Sequence, residues 1–195
     1  MYKNWPLVRE FLKFPIGVQR FLIKAFLLLI TFESYFVFVE QQRPILNESL
    51  TKLVGKETSK ILNTVYKTTI FQTDSFPTMT KINLEEVPQK VYQVKIYKYP
   101  ILGIANSCNG FELIALYIGF LICIDGKWWK KVLYILFGSI LIHYANIFRC
   151  YALIELVLNN NQFFDLAHHY IYKILLYSFI FSLWYLFLRS DEKLV

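Results

Sequence analysis

The chain has 195 residues, enough for one compact domain or one small membrane bundle. It is 56% hydrophobic, with 18 Phe, 14 Tyr and 4 Trp, a mean hydropathy of +0.40 and only 18% charged residues. An ordinary soluble domain, about a quarter charged, is excluded. The net charge of +7 reads as Lys and Arg flanking membrane spans, because no phosphate loop, zinc-finger spacing or basic helix with interleaved aromatics points to nucleic acid.

Residues 1–24 are basic, with Lys3, Arg9, Lys13, Arg20 and Lys24 against Glu10. An apolar run follows from Ala25 to Val39. The flank looks like a signal-peptide n-region, but no small-x-small cleavage site follows and the run continues. The expectation is an uncleaved first span at 20–40 with its N-terminus in the cytoplasm. Glu33 inside it reads as a carboxyl facing the bundle, neutral or paired.

Residues 41–107 change character and form an expected extracytoplasmic insertion. From Asn47 to Val65 the apolar residues Leu50, Leu53, Val54, Ile61, Leu62 and Val65 have helical spacing. From Lys90 to Tyr99 the chain alternates as a strand does, with Val91, Gln93, Lys95 and Tyr97 on one side. Pro77, Pro88 and Pro100 punctuate the segment, which reads as a helix plus short strands with a hairpin ending at Ile101–Ile104. Its basic residues fit an outside location, since long loops escape the positive-inside rule.

Phe111 to Ile124 is a second apolar run interrupted by Glu112, giving a span at 109–124. The turn from Asp125 to Lys131 carries three lysines and two tryptophans, as a cytoplasmic interface does. A third span, 132–157, turns polar in its second half at His143, Asn146, Arg149 and Glu155. Asn159 to Gln162 has no basic residue and suits an outer loop. A fourth span, 169–188, ends at Arg189, again on the basic side. The expected fold is an all-α membrane protein, a single integral membrane domain of four transmembrane helices. Its α+β insertion lies between the first and second helices, and both termini are cytoplasmic.

Three cysteines give neither a disulfide framework nor metal-ligand spacing, and no metal or organic cofactor is expected. Cys123 and Cys150 sit in apolar spans and read as small hydrophobes. Cys108 is different, because Asn106, Ser107, Asn109 and Gly110 surround it at the outer edge of span two. Arg149 lies 18 residues beyond Lys131. That is ~27 Å of helical rise, which returns it to the outer interface. His168 opens span four as the chain re-enters from outside. Three reactive side chains from three spans therefore arrive at one depth.

Their chemistry is complementary. A cysteine attacks as the thiolate, which imidazolium, arginine and a helix N-terminus all favour. A histidine takes the thiol proton and returns it to the leaving amine. An arginine holds a developing oxyanion or docks a carbonyl, though it also has the plain reading of snorkelling to the headgroups. Asn146, three residues before Arg149 on the same face, is placed to orient it. Glu112 either pairs with Arg149 or is a first-turn acid answering the helix dipole. His169 competes with His168, Asp165 is a candidate to orient the histidine, and His143, ~9 Å deeper on another face, reads as structural.

Asn106-Ser107-Cys108-Asn109-Gly110, then Asn146-Ile147-Phe148-Arg149, then Phe164-Asp165-Leu166-Ala167-His168-His169-Tyr170 resemble the motifs of the exosortase/archaeosortase family of membrane transpeptidases. The resemblance covers residues 90–188. Many members of the family have about eight spans; this chain, with four expected, looks like the short branch of Bacteroidetes type. It departs from the commoner pattern in having Asn109 after the cysteine. The resemblance implies Cys108 as nucleophile, Arg149 as the motif arginine and His168 as acid/base. Asn146, His169 and Glu112 are candidate supporting residues.

The implied function is cleavage of C-terminal sorting signals of exported proteins by a cysteine protease/transpeptidase at the outer face of a bacterial cytoplasmic membrane. Implied partners are proteins carrying a C-terminal motif, a transmembrane helix and a basic tail, besides the lipid bilayer. A reading from another class is a non-enzymatic membrane subunit whose outer insertion binds secreted protein or polysaccharide-export machinery.

Overall fold

The computed structural model describes residues 14–35, 37–38, 45–82, 85–160 and 162–190. It is mostly helical with one small sheet. Helix α1, Ile16–Tyr35, starts behind Pro15, whose carbonyl accepts the Val18 and Gln19 amides at 2.9 and 3.1 Å. A proline suits that edge because its missing N–H falls where no helical partner exists. The expected span at 20–40 covers all but the first four residues of α1 and runs on partly outside the described residues, where residues 1–13 also lie.

Helix α2, Ile45–Val65, buries Thr51, Val54, Thr58 and Leu62, a stripe at helical spacing. It is the helix expected from Asn47 to Val65. A Cβ added at Gly55 would lie 2.6 Å from Thr73 Cγ2, so glycine here permits close approach of α2 to the sheet. Asn63 brackets the first residue of the sheet, donating to the Phe71 carbonyl at 2.9 Å and accepting the Phe71 amide at 3.0 Å.

Strands β1 (Phe71–Ile82), β2 (Glu85–Ile96) and β3 (Tyr99–Ile104) form an antiparallel meander in the order β1-β2-β3. Phe71 opposes Ile96, and Tyr92 opposes Ile104, with a bulge at Val94/Lys95. The alternation expected from Lys90 to Tyr99 is β2 and the turn after it, where Tyr97 takes φ 53°. Val54, Leu62, Phe71, Val94, Ile104, Ile147, Cys150 and Ile154 make one core that joins α2 and the sheet to the helix of Arg149.

Helix α3 is Phe111–Cys123 and α4 is Trp128–Leu158. The last helical run, Phe164–Ser190, comprises a turn at Phe164–Leu166, a π-helical segment Ala167–Ile171 and helix α5, Tyr172–Ser190. A second core, around Tyr117, Leu121, Ile142, Ile180, Trp184 and Phe187, ties α3, α4 and α5 together. Tyr117 fills the space left by Gly138 and donates to the Tyr134 carbonyl at 2.8 Å.

Among the described residues, two helical runs, Trp128–Leu158 and Phe164–Ser190, are long and apolar enough to cross a membrane. Their outward faces carry exposed Phe137, Ile140, Leu141 and Phe148 on α4 and Ile174, Phe181 and Leu186 on α5. An apolar outer face of this kind belongs against lipid. The 13 residues of α3 rise only ~20 Å, short of a ~30 Å hydrocarbon core.

The two ends of the bundle differ. At one, Lys24 pairs with Asp125, Lys130 reaches the Ser190 carbonyl at 2.7 Å and Lys131 reaches the Ile124 carbonyl. At the other lie α2, the sheet, the Cys108 turn and the start of the last helical run.

Candidate active site

Cys108 closes a 3-10 turn, Asn106–Cys108, between the buried end of β3 and the start of α3. Its amide donates to the Ala105 carbonyl at 2.8 Å. Gly110 then takes φ 85°, the left-handed region, to turn the chain into α3. A Cβ at Gly110 would also lie 3.3 Å from Asn146 Cγ, so both conformation and space require glycine there.

The turn is held from two sides. On one, Asn146 of α4, fully buried, donates through Nδ2 to the Cys108 carbonyl at 3.1 Å. On the other, the buried Asn109 donates through Nδ2 to the Asn47 carbonyl, Asn47 Oδ1 and Thr51 Oγ1 of α2 at 3.0, 2.9 and 3.0 Å. Asn109 Oδ1 accepts the Phe111 amide at 2.8 Å, which starts α3. Thr51 Oγ1 also lies 2.8 Å from Asn106 Oδ1.

Arg149 follows Asn146 by one helical turn, and its Nη1 lies 3.5 Å from Asn146 Oδ1. Its Nε is buried and has no hydrogen-bond partner among the described residues. One asparagine thus touches both the cysteine turn and the arginine. The sequence reading that Asn146 orients Arg149 corresponds to this contact.

The histidines sit in the π-helical segment, whose extra residue per turn re-aims side chains and recurs at functional sites. The His168 ring lies flat on Phe164, 5.7 Å between centroids with an interplanar angle of 6°. The His169 ring stands across it at 4.7 Å and 87°. His169 Nδ1 is 3.0 Å from the Asp165 carbonyl. A carbonyl only accepts, so Nδ1 carries the proton and the neutral ring presents Nε2 as the acceptor. It is the backbone of Asp165, not its carboxylate, that holds a histidine, and the one it holds is His169.

Cys108, Arg149 and His168 line one cavity of about 410 Å³, together with His169 and Glu112. Three separate helical elements therefore bring the three reactive residues to one place, as their depths in the sequence suggest. Asn146 stands behind the cavity wall. His143, Cys123 and Cys150 are not in its lining. The ion pairs among the described residues join Lys24–Asp125, Lys90–Glu48 and Lys95–Asp74, not Glu112 to Arg149. Among the described residues, no group of three or more His, Cys, Asp or Glu side chains is arranged to hold a metal ion.

Two further lining residues, Lys173 and Tyr177, escaped the sequence reading. Their signal was present, because His169, Lys173 and Tyr177 recur every four residues and so share a helical face. Arg149 and Lys173 against Glu112 leave the cavity with an excess of fixed positive charge, suited to oxygen atoms that gain negative charge during acyl transfer.

The transmembrane exosortase family model matches residues 70–187, more than half of the chain. No curated protein and no solved structure matches it. The matched stretch begins at β1, runs through most of α5 and contains Cys108, Arg149 and both histidines, while α1 and α2 precede it. By that match the chain belongs to the transmembrane exosortase family, whose members are in general cysteine transpeptidases of the membrane.

Proposed function

We propose that the chain is a membrane-embedded cysteine protease/transpeptidase that cleaves C-terminal sorting signals of exported proteins at the outer face of a bacterial cytoplasmic membrane. The observation that supports it is the convergence of Cys108, Arg149 and His168 on one cavity, within the region that matches the family. In this reading α1, α3, α4 and the Phe164–Ser190 run are four spans. The lysine-rich end faces the cytoplasm, and α2 and the sheet stand outside. The substrate is an exported protein ending in a short motif, a transmembrane helix and a basic tail.

The chemistry runs in two transfers. His168 takes the proton from the Cys108 thiol, and the sulfur attacks the carbonyl carbon of the scissile peptide. Arg149 faces the oxyanion that forms, in a cavity partly withdrawn from water where its charge acts strongly. The C–N bond breaks, His168 returns the proton to the departing amine, and the acyl group remains as a thioester on Cys108. An acceptor amine, or water, then attacks the thioester carbonyl while His168 takes its proton; the C–S bond breaks and the proton returns to the Cys108 sulfur. Asn146 supports Cys108 and Arg149 from behind, His169 stands beside His168, and Glu112 sits at the cavity edge.

The test is processing of a tagged substrate in cells. Cys108→Ala abolishes cleavage while the protein accumulates normally. Unchanged processing by Cys108→Ala removes the enzyme reading and leaves a binding subunit.

A further inference from the structure

The polar cluster on the far side of the Cys108 turn is built by a helix outside the family match. Thr51 of α2 is fully buried, and its one hydroxyl meets both asparagines that bracket the cysteine. It accepts Asn109 Nδ2 at 3.0 Å, and its proton points to Asn106 Oδ1 at 2.8 Å or the Asn47 carbonyl at 2.6 Å. Asn106 and Asn109 are the first residue of the 3-10 turn and the residue after its last, so one hydroxyl spans the turn that carries Cys108. On the opposite side Asn146 holds the turn through the main chain, at the Cys108 carbonyl.

We propose that Thr51, with Asn47, is a positioning residue of the cysteine site. It sets where the Cys108 sulfur stands relative to Arg149 and His168 without touching substrate. The inference rests on the reading of Cys108 as the nucleophile. A buried hydroxyl between the buried Asn109 amide and the half-buried Asn106 amide fits such a role better than simple packing, because valine fills the same volume but satisfies none of the three groups. It also gives the outer helix a specific task, the alignment of a turn whose sequence lies 55 residues later.

The test uses the full chain in lipid nanodiscs, with iodoacetamide as the probe and mass spectrometry of each cysteine peptide across pH. Thr51→Val is expected to slow alkylation of Cys108 about tenfold and shift its pH profile, as the sulfur leaves its cationic neighbours. Substrate cleavage is expected to fall ~10- to 100-fold in kcat with little change in KM, the cost of a displaced reacting atom. Thr51→Ser restores both, and Lys52→Ala, on the exposed face of the same helix, changes neither. General loosening would instead raise labelling at buried Cys123 and Cys150, and that result overturns the proposal. So does a folded Thr51→Val with wild-type Cys108 alkylation.

If Thr51→Val does not fold, Asn106→Ala, which removes the acceptor of the Thr51 hydroxyl together with the rest of that amide, is read by the same two outcomes. The alkylation profile needs no substrate. A Thr51→Val effect on Cys108 alkylation alongside unchanged processing by Cys108→Ala therefore keeps the brace and removes the enzyme reading. The reverse pattern does the opposite.

Discussion

Asn146 donates to the carbonyl of Cys108 at 3.1 Å while its own carbonyl oxygen faces the Arg149 guanidinium at 3.5 Å. The side chain is fully buried, so each of its polar groups must find a partner within the protein. Asn146→Leu is expected to destabilise the protein by about 1–3 kcal/mol, the cost of stranding buried partners. Asn146→Asp keeps the acceptor toward Arg149 but loses the donor toward Cys108. It is expected to insert and accumulate normally yet process substrate poorly. Thermal unfolding in detergent and a processing assay separate the two effects, and an active Asn146→Asp argues against any role for the contact to Cys108.

Gly110→Ala tests the turn itself. Left-handed backbone costs an L-residue ~1–2 kcal/mol, and the added methyl meets Asn146 at 3.3 Å. The variant is expected to melt several degrees lower and to lose processing. Gly17→Ala, where an added Cβ meets nothing within 4 Å, is expected to do neither.

Much of this site is legible in the sequence because helix rise is predictable. Cys108 at the head of one apolar run, Arg149 near the far end of the next and His168 at the start of the last must share a depth if the runs cross in alternation. Contacts between distant segments are another matter. Asn109 meets Asn47 across 62 residues, and no local pattern announces it. Thr51 reads as an ordinary polar residue of an amphipathic helix until the turn is folded against it. Strand β1 is similarly hidden, because Gln72, Asp74 and Ser75 have weak strand character and are held by pairing with β2. The π-helical segment is invisible too, and it is the element that sets how His168 and His169 face the cavity.

The opposite end of the bundle predicts a modest acid response. The Lys24 ammonium beside Asp125 holds its carboxyl below the ordinary 3.8. A folded-state value below the unfolded one means that the contact stabilises fully above the unfolded pKa and is lost as pH falls through the folded value. Asp125→Asn is therefore expected to be slightly less stable near neutrality, where the wild-type contact is intact, and to have a flatter acid limb below about pH 4, where the wild type loses that contact. Unfolding curves from pH 2 to 7 check this, and an unaltered acid limb would mean that the pair is too solvated to matter.

Topology is testable without activity. A reporter inserted at the Tyr97–Lys98 turn is expected to read outside, and one in the Asp125–Lys127 turn inside. Both on one side would remove the orientation and the assignment of the cavity to the outer face.

The other cysteines give the specificity control. Cys123 and Cys150 are both buried, Cys150 in the core that joins α2 and the sheet to α4, and alanine at either is expected to cost packing energy with processing retained. Loss of processing in a stable Cys150→Ala protein would mean that the reactive thiol had been misassigned.

The most direct measurement is capture of the covalent intermediate. Purified protein in nanodiscs is mixed with a tagged substrate bearing a C-terminal signal, quenched in acid and digested, and the peptide containing Cys108 is weighed. The proposed function predicts that this peptide carries the substrate's upstream fragment as a hydroxylamine-labile thioester, and that Arg149→Ala or His168→Ala greatly reduces it. Turnover of the substrate with no adduct at Cys108, and equal turnover by Cys108→Ala, would contradict it.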